Sequence, residues 1–226
     1  MAYNMFAIYD KVTSIPKTNV TKRGYGYHAV APDLRGYVGY DRGANIGWHL
    51  SLFRPDRVKG FVALGVPYFP RSPTDKTVET IRKIYGDGNH VYQFQEPGRA
   101  ERAFARYDFS TVMKKFLLIT RTHFIAAPSG MEIIDFLPTP SVLPSWITEE
   151  ELVVFADKFQ ESGFTGAFNY YRAMDLNWEL LAPWQGSKIT VPTKFIAGDK
   201  DVGFQSGTKD FVEGDRVLFL TSKWLY

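Results

Sequence analysis

The sequence predicts an α/β protein with a mostly parallel sheet and an inserted block of helices. Three observations carry this. The apolar runs YHAVAPDL at 27–34 and VKGFVALGVP at 58–67, bounded by Gly and Pro, have the continuous hydrophobicity of buried parallel strands. Between them GANIGWHLSLF, at 43–53, places Ala44, Gly47, Trp48 and the later leucines on one helical face, so strand, turn, helix and strand follow one another. From 75 to about 182 the pattern is helical, after which KITVPTKFIAGDKD at 188–201 and RVLFLT at 216–221 return to strand.

Taken in order, residues 1–24 are polar and weakly patterned, with a short strand expected around 5–9. The helical block contains KTVETIRKIYG, YDFSTVMKKFLLI and TEEELVVFADKFQESG. In the last, Thr148 followed three residues later by Glu151 forms a capping box for the exposed first-turn amides. Gly163 closes that helix. The organisation expected is a weakly patterned segment at 1–24, an α/β core from 25–74 and 183–226, and a helical cap over 75–182. One junction resists a normal core. Leu34 and Val38 are separated only by Arg35, Gly36 and Tyr37, whereas two parallel neighbours need a crossover of roughly a dozen residues. YHAVAPDL and VGYD therefore form one bent strand, or one of them leaves the sheet, and the core is expected to be incomplete.

The composition of the 226 residues narrows the function. With 27 Lys+Arg against 24 Asp+Glu, dispersed along the chain, no concentrated basic face exists for nucleic acid. The absence of cysteine removes disulfides and thiolate chemistry and suits a reducing compartment. No His/Asp/Glu cluster has metal-ligand spacing, and no cofactor is implied. The start lacks the apolar core of a signal peptide, and no apolar run reaches the length of a membrane span, so a cytoplasmic location is expected. Aromatic residues make up 16% of the chain, enough for a Phe-rich core or for the lining of an apolar ligand pocket.

Chemistry concentrates at VGYDRGANIGW. Gly39-Tyr40-Asp41-Arg42-Gly43 puts a carboxylate at the centre of a Gly-x-nucleophile-x-Gly elbow, with a strand before it and a helix after it. Such a turn exposes the central residue beside free helix amides that favour developing negative charge. A carboxylate held there attacks an sp3 carbon to form an ester, splitting one hard hydrolysis into two steps.

The stretches YHAVAPDLRGY, VGYDRGANIGWHLSLFRPDRVKGFVALGVPYFPRSP, FQEPGRAE, LPSWITEEEL, FADKFQESGFTGAFNYYRAMDLNWELLAPWQG and VPTKFIAGDKD closely resemble plant soluble epoxide hydrolases of the α/β-hydrolase superfamily, over most of 25–201. The resemblance implies the α/β-hydrolase fold with an inserted helical cap and a small apolar epoxide, of the fatty-acid or aromatic class, as substrate. In that family an aspartate attacks an epoxide carbon, two cap tyrosines hold and protonate the opening oxygen, and a histidine oriented by a second acid activates water. Carried over, Asp41 matches the nucleophile and Tyr171, in FNYYRAMDLNW, the cap tyrosine with Tyr170 as its packing neighbour. Asp201, in GDKD, matches the acid.

The chain departs from the family at several places. The second cap tyrosine falls at the register of His90, with Tyr92, two residues on, as its substitute and Tyr85 as a further candidate for the substrate pocket. Tyr40 stands where the family has histidine and Arg42 where it has tryptophan. No His-Gly-x-Pro segment precedes the elbow to complete an oxyanion hole, and no histidine follows Asp201 before Tyr226. The expectation is an epoxide-hydrolase relative that forms the ester and turns over once or not at all. Two further readings stay open. Asp41 to Ala44, Asp-Arg-Gly-Ala, also looks like haloacid dehalogenases, in which an arginine binds the substrate carboxylate; a shortened, non-catalytic ligand binder is the other.

Overall fold

The computed structural model describes residues 36–119, 126–198 and 201, together with the backbone of 23–24 and 27–28. Strands β1 (Arg23–Gly24) and β2 (Tyr27–His28) pair antiparallel in a two-stranded ladder of their own. Strands β3 (Tyr37–Tyr40), β4 (Phe61–Leu64) and β5 (Thr193–Ile196) form a parallel sheet in that order, with Tyr37 opposite Phe61 and Phe61 opposite Thr193. The start of YHAVAPDL is thus antiparallel and outside the parallel sheet, which corrects its reading as a buried parallel strand. Tyr27 and His28 thus follow the second of the two alternatives left by the short link to β3, pairing outside the parallel sheet. The remainder of that run, the strand expected around 5–9 and RVLFLT lie outside the described residues.

Helix α1 (Arg42–Phe53) connects β3 to β4 and buries the face read from the sequence, including Ala44, Gly47, Trp48 and Leu52. Two side-chain bonds lock it to the sheet. The Tyr37 hydroxyl donates to the Gly43 carbonyl at 3.0 Å, and Trp48 Nε1 donates to the Val66 carbonyl at 2.9 Å. Trp48 meets Phe61 edge-on at 4.8 Å, the contact that centres a cluster formed with Val58, Ile189, Val191 and Phe195. β4 ends at Gly65, whose φ of 76° is a left-handed conformation natural to glycine.

The helical layer runs through α2 (Thr77–Tyr85), α3 (His90–Gln93), α4 (Arg99–Phe104), α5 (Phe109–Leu117), α6 (Ile133–Phe136), α7 (Glu149–Ser162), α8 (Thr165–Arg172) and α9 (Met174–Leu180). The capping box of α7 is present, with Glu151 N donating to Thr148 Oγ1 at 3.2 Å and Thr148 N to Glu151 Oε2 at 2.9 Å. A second cluster, separate from that of the sheet, is built here from Phe94, Phe104, Phe116, Phe164 and Phe168 with aliphatic neighbours. Phe168 stacks among Phe94, Phe104 and Phe164 and is fully buried. The layer is joined to the sheet layer near Arg71, whose Nε donates to the Trp178 carbonyl at 2.8 Å. Trp178 Nε1 returns a bond to the Ser72 carbonyl at 2.8 Å, and Lys76 pairs with Glu179 at 2.7 Å. No helix among the described residues is long and apolar enough to cross a membrane.

Candidate active site

β3 and α1 meet at Asp41, whose φ of 51° and ψ of −118° make it the non-glycine residue with positive φ among the described residues. A carboxylate-bearing residue is held in a strained turn, at a cost of order 1–3 kcal/mol that the flanking strand and helix sustain. Gly39 is what lets the turn close. A Cβ there would overlap the Gly43 carbonyl and stand 2.7 Å from the Ala44 nitrogen. The Asp41 amide donates to the Leu64 carbonyl at 3.1 Å and its own carbonyl accepts from Asn45 N at 3.2 Å, fixing the residue from both sides.

This turn opens into a cavity of about 1260 Å³ between the C-terminal ends of the strands and the helical layer. Asp41, Arg42, Tyr85, His90, Tyr170, Tyr171 and Asp201 all line it. Residues 160 positions apart in sequence are therefore brought to one space, with Asp201 placed just beyond β5, where open α/β sheets collect functional groups. Asp201 Oδ2 would lie 3.5 Å from a Cβ on Gly65, so a side chain at that glycine would crowd the acid as well as strain the backbone.

Tyr92 is not among the lining residues. Successive residues on a helix project about 100° apart, so on the single turn of α3 Tyr92 points away from the face that carries His90. It instead receives the Arg82 guanidinium over its ring at 4.7 Å. Asn89 sets this orientation by capping α3, accepting from Val91 N at 2.9 Å. Tyr170 packs against the helical cluster while also lining the cavity. His49 also lines the cavity, from α1, and was given no role by the sequence reading. The signal was available in its spacing of seven from Arg42, with Asn45 and Ile46 between them on the same face.

The electrostatics are those of a desolvated pocket. Loss of water pushes the Asp41 carboxyl up to about 6, a rise that Arg42 opposes and the neighbouring Asp201 carboxylate reinforces. The Arg42 amide also hydrogen-bonds the Asp41 carboxylate. Burial pushes the Tyr171 phenol up to about 12, with Arg42 acting against it through its charge and a hydrogen bond, and Asp41 acting with it. His90 falls to about 3, first from burial and then from the nearby Arg42 charge, so its imidazole is neutral. Burial also raises Tyr85 and lowers His49. His90 meets the Tyr171 ring edge-on at 5.5 Å, and Phe94 flanks the same ring at 5.3 Å. The Arg42 guanidinium lies over that ring with Cζ 4.2 Å from its centre. Among the described residues no group of three or more potential metal ligands occurs.

A strained carboxylate facing a buried phenol across a largely apolar cavity can form an ester and protonate the departing oxygen. No family model matches the chain. Epoxide hydrolase 1 of Siraitia grosvenorii is 42% identical to it over 224 residues, covering 84% of this chain and 71% of that protein. Epoxide hydrolase A of Mycobacterium tuberculosis is 34% identical over 219 residues, covering 78% of this chain and 67% of its own length. Among solved structures, the epoxide hydrolase of Vigna radiata superposes with a TM-score of 0.77 at 40% identity, covering 82% of this chain and 59% of its own. A variant of potato epoxide hydrolase gives 0.75 at 41%, covering 83% and 61%. The chain thus spans less than two thirds of the length of those solved chains. By this identity and extent of overlap the chain belongs to the epoxide hydrolases, on the α/β-hydrolase fold.

Proposed function

We propose that the protein opens small apolar epoxides through an ester on Asp41, with Tyr171 as the proton donor. The observation that carries this reading is the placement of the strained Asp41 and the buried Tyr171 on one cavity, linked by Arg42. Asp41 attacks as the carboxylate, so its raised pKa of about 6 makes the attack switch on as pH rises through that value. Asp201 holds a place beside Asp41 that matches the family's orienting acid, and Tyr85, His90 and Tyr170 shape the space around the substrate.

Release of the ester is the slow step in this reading. Among the described residues, the imidazoles that line the cavity belong to His49 and His90, both lowered by burial. A base of pKa about 3 takes a proton from water with little driving force. Incubation with styrene oxide followed by peptide mass spectrometry tests both parts. The expected result is a stable adduct on the Asp41 peptide, absent from Asp41→Asn, with diol released slowly after a first stoichiometric burst. Sustained diol formation without an accumulating adduct would sink the slow-release reading. An unmodified Asp41 would sink the epoxide reading altogether. The presence of Arg42 in the cavity also favours a second reading as a haloacid dehalogenase, for which halide release from a haloacetate is the measurement.

A further inference from the structure

Ring opening moves a negative charge. As Asp41 Oδ bonds to an epoxide carbon, its charge disappears into a neutral ester. The carbon–oxygen bond breaks with its electron pair on the oxygen. That alkoxide then takes the Tyr171 phenolic proton and leaves a phenolate. A site that carries this reaction needs positive charge at both ends of the displacement, held in place beforehand.

Arg42 has the position for it. Its amide contacts the Asp41 carboxylate at one end, and its guanidinium lies over the Tyr171 ring, 4.2 Å from the centre, at the other. The guanidinium is poorly used by the protein itself. Its Nε is buried with no hydrogen-bond partner, Nη2 reaches the Met174 sulfur at 4.0 Å, a weak acceptor, and the remaining partner is the Tyr171 hydroxyl, itself a group of the reaction. Among the described residues no carboxylate stands within 4.0 Å of it as an ion pair. A buried cation with an empty donor is costly unless a counter-ion is supplied. Before reaction Asp41 supplies it at longer range, and after reaction the oxygen that Asp41 has displaced supplies it. Resting on the epoxide reading, we infer that Arg42 is a shared counter-ion that passes from the Asp41 carboxylate to the opened oxygen and the Tyr171 phenolate. In this role it replaces the second cap hydroxyl that the register of His90 removes.

The ionisable groups around the guanidinium are Asp41, Tyr171 and His90, with Asp201 beside Asp41. The test removes the Asp41 charge without chemistry and asks whether the cavity then takes an anion. Benzoate is the probe, ionised at every pH used, and calorimetry is the readout. At about pH 8, Asp41→Asn is expected to bind benzoate at least about tenfold more tightly than the unaltered protein. Adding Arg42→Gln to that variant removes the gain, and adding Arg42→Lys keeps most of it. The unaltered protein shows the same tightening between about pH 8 and pH 5, as Asp41 takes up a proton, which carries the test should a variant fail to fold. Equal benzoate affinity with and without the Asp41 charge, or a gain that survives Arg42→Gln, overturns the inference. Adduct formation with styrene oxide is read separately. A missing adduct counts against the epoxide reading, whereas an adduct with no benzoate response counts against Arg42 alone.

Discussion

In the helical layer Glu101 is held down to about 2, chiefly by its hydrogen bonds from Arg172, while at the edge of the sheet Asp41 is pushed up to about 6 by loss of water. The two regions use charge differently. Arg172 grips both Glu101 oxygens at 2.8 Å and also donates to the Phe94 carbonyl at 3.0 Å, so α4, α8 and the turn after α3 are tied into one unit. Arg99 and Glu132 make a similar half-buried pair at 2.9 Å, and Lys115 Nζ caps the Leu137 carbonyl. At Asp41 the nearest arginine sends its guanidinium to a tyrosine ring instead of to the carboxylate. Charges matched within the helical layer stabilise it, and the charge left poorly matched at the sheet edge is kept reactive.

The comparison breaks first at Phe168, which has three aromatic ring neighbours and no exposure. Phe168→Ala is expected to cost about 3–5 kcal/mol by thermal or denaturant unfolding. A loss under about 1 kcal/mol would show that the helical layer does not depend on its aromatic cluster.

Asp41→Asn sharpens the contrast from the opposite side, because it should stabilise. A folded pKa raised from 3.8 to about 6 means that the native state binds the proton more tightly than the unfolded chain. Its stability is therefore fully present below about pH 4 and falls as pH rises through about 6. The shift corresponds to about 3 kcal/mol, which the asparagine variant should recover at neutral pH, together with a flattened pH–stability profile between 4 and 6. A melt at pH 7 that is lower for the variant would contradict it.

Glu101→Gln is the smallest of the three and has the opposite sign. Its lowered pKa gives stability that is present above about 4.5 and lost as pH falls through about 2. With its side chain 27% exposed, screening reduces the expected loss at pH 7 to about 1–2 kcal/mol. Urea unfolding at pH 7 and pH 3 should show the difference between protein and variant shrinking at the lower pH.

Much of this arrangement was legible in the sequence because it is local. The Gly-x-Asp-x-Gly turn, the apolar face of α1 and the Thr148–Glu151 box each depend on residues within about two turns of one another. The three-residue link before Val38 was enough to exclude a parallel neighbour on chain geometry alone. The resemblance supplied what spacing does not, assigning Tyr171 and Asp201 to one site with Asp41. Three things lay beyond reach. Tyr92 and His90 are separated by the rotation of a one-turn helix whose start is set by the Asn89 cap, and a shift of about two residues would have exchanged them. The reach of Arg42 across to Tyr171 joins residues 129 positions apart and depends on how the helical layer is seated. The pairing of Glu101 with Arg172 joins two helices by a contact for which the sequence offers several equally charged candidates.

The junction around Arg71 determines how this seating is kept. The chain leaves the sheet layer near Ser72 and returns near Gln185, and these two passages are fastened to each other. Arg71 lies on the Trp178 ring at 3.9 Å and donates to Gln185 Oε1 at 2.6 Å, while Trp178 bonds back to Ser72. Exit and return thus share one anchorage, so the helical layer is hung like a door with both hinges on the same post. Tyr171 belongs to the layer's own aromatic packing, so the gap between it and Asp41 is set by how that layer is held at this anchorage. Loosening the Arg71 anchorage, as in Arg71→Ala, is expected to widen the cavity that the helical layer closes over Asp41.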